Sequence, residues 1–123
     1  MSKEFKGGFT LVELMTVIAI IALLSALILG LAGNAQKTAA RKKAAAEVEQ
    51  LSGFVTEYQT QYGQVPSLKA LKAALEDADH PLKDMEDPWG DTYVYTNTSK
   101  ATFYLYSYGG AKTNEAGWIG NTP

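Results

Sequence analysis

The sequence predicts an α+β chain in which a long N-terminal α-helix, membrane-spanning in its first half and amphipathic in its second, packs on a small antiparallel β-sheet head. Three observations predict it. From Leu14 to Ala32 no residue is charged, and as a helix this stretch covers roughly 28 Å, close to the hydrocarbon thickness of a bilayer. Ala40, Ala44, Val48, Leu51, Val55, Tyr58 and Tyr62 then recur three or four positions apart, a single stripe on a helix. Further on, Thr92–Thr96 and Thr102–Ser107 are rich in β-branched and aromatic residues, and Asn97-Thr-Ser-Lys100 between them suits a hairpin loop.

Taken in order, the apolar run is interrupted only by Thr16, Ser25 and Gly30 and continues into the stripe that reaches about Tyr62. A continuous helix from Phe9 to Tyr62 would be roughly 80 Å long, more than a small domain can contain. Gly30 and Gly33 are where it would loosen, since glycine weakens a helix interior by about 1 kcal/mol relative to alanine. Gly63-Gln-Val-Pro66 ends the helix, and Ser67 reads as the N-cap of a second, short one bearing Leu68, Leu71 and Leu75 on one face. Asp77 to Asp87 is acidic and loop-like, and Asp87-Pro88-Trp89-Gly90-Asp91 is turn chemistry. Gly109 to Pro123 is a Gly/Asn-rich loop with one anchor, Trp118-Ile119.

Composition excludes several functions. With 11 Lys+Arg against 13 Asp+Glu and a net charge of −2, the chain lacks the clustered positive charge of a nucleic-acid binder. Without cysteine it has no disulfide, no thiolate nucleophile and no Cys-based metal site. His80, the one histidine, precedes Pro81 in a polar loop, has no partner for a catalytic dyad and reads as a solvated loop residue, so the chain is not expected to be an enzyme. Lys37, Arg41, Lys42 and Lys43 form a basic cluster after the apolar run. It suits either lipid headgroups or acids such as Glu47, Glu49 and Glu57 of neighbouring subunits.

Glu13 is the informative residue. An ionised carboxylate entering an apolar helix is costly in lipid unless it finds a cation or the interface, and the first helical turn itself favours an anion. A cut between Gly8 and Phe9 would create an α-amino group four residues away, able to pair with Glu13 of a neighbour and set the stagger between helices. A second reading takes Lys3 and Lys6 as the basic start of a secretory signal cleaved after Ala35. The apolar run exceeds the roughly 7–15 residues of such signals, which also have no use for Glu13.

Lys6-Gly7-Gly8-Phe9-Thr10-Leu11-Val12-Glu13-Leu14 resembles the prepilin motif of type IV pilins and type II secretion pseudopilins. The resemblance implies cleavage of the Gly8–Phe9 bond by a prepilin peptidase, N-methylation of Phe9 and an assembly role for Glu13. The C-terminal half resembles the major pseudopilins of type II secretion. The matching residues are Asp87-Pro88-Trp89-Gly90, Tyr93 and Tyr95, Leu105-Tyr106-Ser107-Tyr108-Gly109, and Ile119-Gly120-Asn121, with Ala39–Lys43 echoing the family's basic patch. A pilin-like fold follows, with a leader over 1–8, a transmembrane and assembly helix over 9–33, and a periplasmic head over 34–123 that includes the second half of the long helix.

The implied function is that of a structural subunit polymerising into a pseudopilus that drives protein export across the outer membrane. Its implied partners are further copies of itself in a helical filament, the prepilin peptidase, minor pseudopilins, an inner-membrane platform with its ATPase, and the lipid bilayer, with the N-terminus cytoplasmic. The basic cluster past the apolar run opposes that orientation by charge counting, so the resemblance alone carries it. The alternative is a type IV pilin of a surface filament serving adhesion, motility or DNA uptake. The resemblance further implies calcium in the loop after the second strand. Candidate ligands are Glu115 and Asn114, joined by Asp87 and Asp91, but Lys112 opposes a cation there, and a hard cation wants 6–8 oxygens. Residue by residue, this loop reads better as one held by Trp118 packing and backbone hydrogen bonds.

Overall fold

A computed structural model describes residues 8–123. Lys3, Lys6 and Gly7, together with the rest of the leader before Gly8, lie outside the described residues. The elements are α1 (Leu11–Tyr62), α2 (Leu68–Asp77), β1 (Val94–Asn97), β2 (Phe103–Ser107) and β3 (Ile119–Asn121). The chain divides into one unit ending at Lys37 and a second, Thr38–Pro123.

In the first unit every residue of α1 is exposed, and the apolar ones cover all its faces. Such a helix has no apolar stripe to turn inward, so its covering comes from lipid or from other helices. α1 runs through Gly30 and Gly33 as helix, so neither glycine interrupts it.

In the second unit α1 becomes one-sided. Ala44, Val48, Leu51 and Val55 of the expected stripe are buried, Ala40 and Tyr58 are half-buried, and Tyr62 is exposed. The helix ends at Gly63, whose N–H reaches the Gln59 carbonyl at 2.7 Å. α2 starts where the capping chemistry predicts: the Ser67 hydroxyl accepts from the Ala70 N–H at 3.2 Å, and Leu71 and Leu75 are buried.

The sheet order is β1-β2-β3, antiparallel throughout. Val94 pairs with Tyr106 and Asn97 with Phe103, so the hairpin loop starts at Thr98, one residue later than its composition suggests. β3 is a correction to the sequence reading, which leaves Ile119–Asn121 as loop. It pairs Leu105 with Asn121 and Ser107 with Ile119. Gly120 explains how such a short, unpatterned segment gets there. Its φ of +126° and its closeness to the Leu105 carbonyl and Val48 Cγ1 leave no room for a side chain.

Leu105 and Ser107 of β2 are fully buried, and Leu105 joins one core with Val48, Leu51, Val55, Val65, Leu71, Leu75, Met85, Tyr93 and Tyr95. Tyr106 points the other way, and Trp118 stacks on it with ring centroids 5.0 Å apart. The anchor role expected of Trp118 is thereby realised.

Two tyrosines, one just before β1 and one in it, reach by their hydroxyls to α1 and to the segment between α1 and α2. Tyr93 donates to Glu47 at 2.8 Å and Tyr95 to the Pro66 carbonyl at 2.6 Å. Burial raises both phenols, Tyr95 to about 12, with the Tyr58 charge adding to it. A neutral phenol is favoured by the fold, so its contribution is complete below pH 10 and is lost as pH rises through 12. Denaturant unfolding of the full chain should therefore show stability falling between pH 10 and 12. Tyr95→Phe, less stable at neutral pH, should lose about 2 kcal/mol less over that range. Equal losses in both proteins would contradict this assignment.

Candidate functional site

The N-terminal motif and the C-terminal loop each repay inspection. Gly8 has a φ of +60° with open space around it, so a side chain there is disfavoured by backbone conformation and not by crowding. Phe9 follows, exposed, ahead of the helix. Thr10 is the N-cap: its hydroxyl accepts from the Glu13 N–H at 3.1 Å, and its carbonyl accepts from Leu14 at 3.1 Å. Thr10-x-x-Glu13 is the spacing of a capping box, a signal present in the sequence and absent from the reading above. Glu13 is exposed in the first turn, and among the described residues its carboxylate is in no ion pair. One residue therefore combines a backbone N–H used by the cap with a carboxylate available to a partner.

Asp87, also among the candidate ligands, is 5% exposed and heavily engaged. Its Oδ1 accepts from the N–H groups of Trp89 at 3.1 Å and Asp91 at 2.7 Å, and its Oδ2 accepts from the Ser107 hydroxyl at 2.7 Å. Gly90 N–H closes the turn on the Asp87 carbonyl at 3.0 Å, the arrangement that Asp-Pro-x-Gly favours. This carboxylate fastens the turn to β2. Asp91 contributes to the same turn through its backbone, whereas Asn114 and Glu115 lie at the 3-10 helix Glu115–Gly117 and are exposed. Among the described residues no three His, Asp or Glu side chains gather as a metal-holding group.

Glu47 is one of the acids that the sequence offers to the basic cluster of a neighbouring subunit, and the fold engages it within its own chain. It is buried against Tyr93, with Lys43 at 3.9 Å. His80 is half-buried: its Nδ1 accepts from the Leu82 N–H at 3.0 Å, and its ring meets Phe54 edge-on at 5.4 Å. It stiffens the loop after α2 and is not a freely solvated side chain. Arg41, counted in the basic cluster, donates from Nη1 to the Gly117 carbonyl at 3.1 Å, a contact across 76 positions that no local pattern announces.

Comparison with known proteins agrees with the motifs. The family model described as type II secretion system (T2SS), protein G, matches residues 32–120, and that of the prokaryotic N-terminal methylation motif matches residues 5–29. The type II secretion system core protein G of Escherichia coli (strain K12) is 32% identical over 111 residues, covering 79% of this chain and 76% of that protein. The protein of the same name from Pectobacterium carotovorum subsp. carotovorum is 33% identical over 104 residues, covering 73% of this chain and 66% of that protein. No solved structure matches significantly. A methylation motif leading an all-round apolar helix, joined to a protein G head, places the chain in the type II secretion system protein G family, the pseudopilins.

Proposed function

We propose that this chain is a structural subunit that polymerises through its N-terminal helix into a periplasmic pseudopilus, driving protein export across the outer membrane. The observation that carries the proposal is the exposed, all-round apolar half of α1, headed by Gly8, Phe9 and Glu13. In storage that surface faces lipid, as a single inner-membrane pass with its N-terminus cytoplasmic. In the filament it faces the same helix of other copies. The role is mechanical, not catalytic. A prepilin peptidase removes residues 1–8 and Phe9 becomes the N-methylated terminus. Residues 9–33 form the assembly helix and 34–123 the periplasmic head. Minor pseudopilins and an inner-membrane platform with its ATPase are the machinery this requires.

Mass spectrometry of the membrane-extracted protein should find a chain starting at N-methyl-Phe9. An intact Met1, or a start after Ala35, would remove the reading. Deleting the gene should leave normally exported enzymes inside the cell while twitching and DNA uptake continue. The reverse pattern would assign the chain to a surface filament.

A further inference from the structure

We propose that the loop joining β2 to β3 is organised by the Arg41 guanidinium of α1, and that the second unit stands without bound calcium. The inference goes beyond the secretion reading and does not rest on it.

A calcium ion wants 6–8 oxygens with several carboxylates among them, whereas this loop carries one acid, Glu115, and has several of its other oxygens engaged. Four of its backbone carbonyls accept from the loop's own N–H groups: Tyr108 from Ala111, Ala111 from Asn114, Asn114 from Gly117 and Glu115 from Trp118. Ala111 also accepts from the Trp118 indole at 3.2 Å. The Gly117 carbonyl, at the end of the 3-10 helix, accepts from Arg41. The carboxylate best placed to support the loop, Asp87, has both oxygens filled by donors of the turn and of Ser107, and the Ser107 hydroxyl in turn accepts from the Gly109 N–H at 3.1 Å.

Positive charge is present as well. Lys112 lies over the Tyr108 ring with its Nζ 5.7 Å from the centroid, so a divalent ion would enter beside two fixed cations. The donor set does not fit calcium. It fits a protein cation bound to a carbonyl, an arrangement whose ligand is supplied by the helix and cannot be chelated away.

The test uses the full chain in detergent micelles, with calcium chloride as the probe. Titration should give no saturable heat up to about 1 mM, the weak end of protein calcium sites. EDTA should move the melting temperature by less than about 1 °C. Arg41→Gln should speed proteolytic cleavage between Gly109 and Trp118 by about tenfold, with no recovery on adding calcium, and Arg41→Lys should restore part of the protection. Saturable calcium binding that is lost in Glu115→Gln would overturn the proposal, as would a loop in Arg41→Gln as resistant as in the wild type. The wild-type titration decides the metal half even where Arg41→Gln fails to fold.

Discussion

Glu13→Ala is expected to abolish filament assembly while leaving processing, membrane insertion and the melting of the second unit within about 1 °C of wild type. The geometry makes this substitution a clean one. The helix start is held by Thr10, which accepts from the Glu13 backbone N–H, and alanine keeps that N–H. What disappears is the carboxylate alone. In lipid an unpaired carboxylate is poorly accommodated, and beside the positive Phe9 terminus of another subunit both charges are compensated. In low dielectric the pair is worth several kcal/mol over the unpaired state, as an order of magnitude. Glu13→Asp keeps the charge on a shorter reach and should assemble at an intermediate level, whereas Glu13→Gln should behave like alanine. Electron microscopy of filaments alongside thermal melts reads both halves. Wild-type assembly and secretion by Glu13→Ala would mean that charge pairing does not set the helix stagger.

Asp87→Ala is expected to lower the melting temperature of the second unit by more than about 10 °C. The carboxylate accepts three hydrogen bonds from inside the protein, and removing it strands the Ser107 hydroxyl and two turn N–H groups. Bonds to a charged acceptor contribute about 1.5–3 kcal/mol each, and losing them together should cost about 3 kcal/mol or more. For a domain of this size each kcal/mol shifts the midpoint by about 4–8 °C. Asp87→Asn keeps one acceptor oxygen for the turn and should lose roughly half as much. Near-UV circular dichroism follows the Tyr and Trp packing around this turn during a melt. A midpoint for Asp87→Ala within about 2 °C of wild type would show that the fastening contributes little.

Residues whose meaning is local were legible in the sequence, and residues whose meaning is long-range were not. Ser67 announces α2 because a cap acts over three positions. The stripe from Ala44 to Val55 announces the buried face of α1 because helical periodicity needs no knowledge of what lies opposite. Asp87 was half readable: Asp-Pro-x-Gly spells a turn, but the second oxygen goes to Ser107, twenty positions away. Glu47 looked like a surface acid because only Tyr93, forty-six positions on, explains its burial. β3 escaped because Ile119 is the one strand former in Ile-Gly-Asn, three residues are too few to show alternation, and its glycine is there for closeness to β2 and Val48. At the N-terminal motif the separation is short throughout, so Gly8, Phe9 and Glu13 stand out in the sequence, and the prepilin resemblance supplies their proposed roles.

The late position of β3 has a kinetic consequence. A chain made from its N-terminus forward presents Val48, Leu51 and Val55 long before Ile119–Asn121 exists to close the sheet. Helical turns form within about a microsecond, but at about 5–20 residues per second the closing strand follows only on the order of seconds later. Leu71, Leu75, Tyr93, Tyr95 and Leu105 can cover most of the stripe in that interval, but its Val48 end lacks the strand that lies beside it. The contacts that finally seal it, Arg41 to Gly117 and Val48 beside Gly120, span more than half the chain and so form last. Slowing translation past Tyr108 therefore lengthens the time in which β2 keeps an unpaired edge beside Val48, and the yield of correctly closed subunit should fall with it.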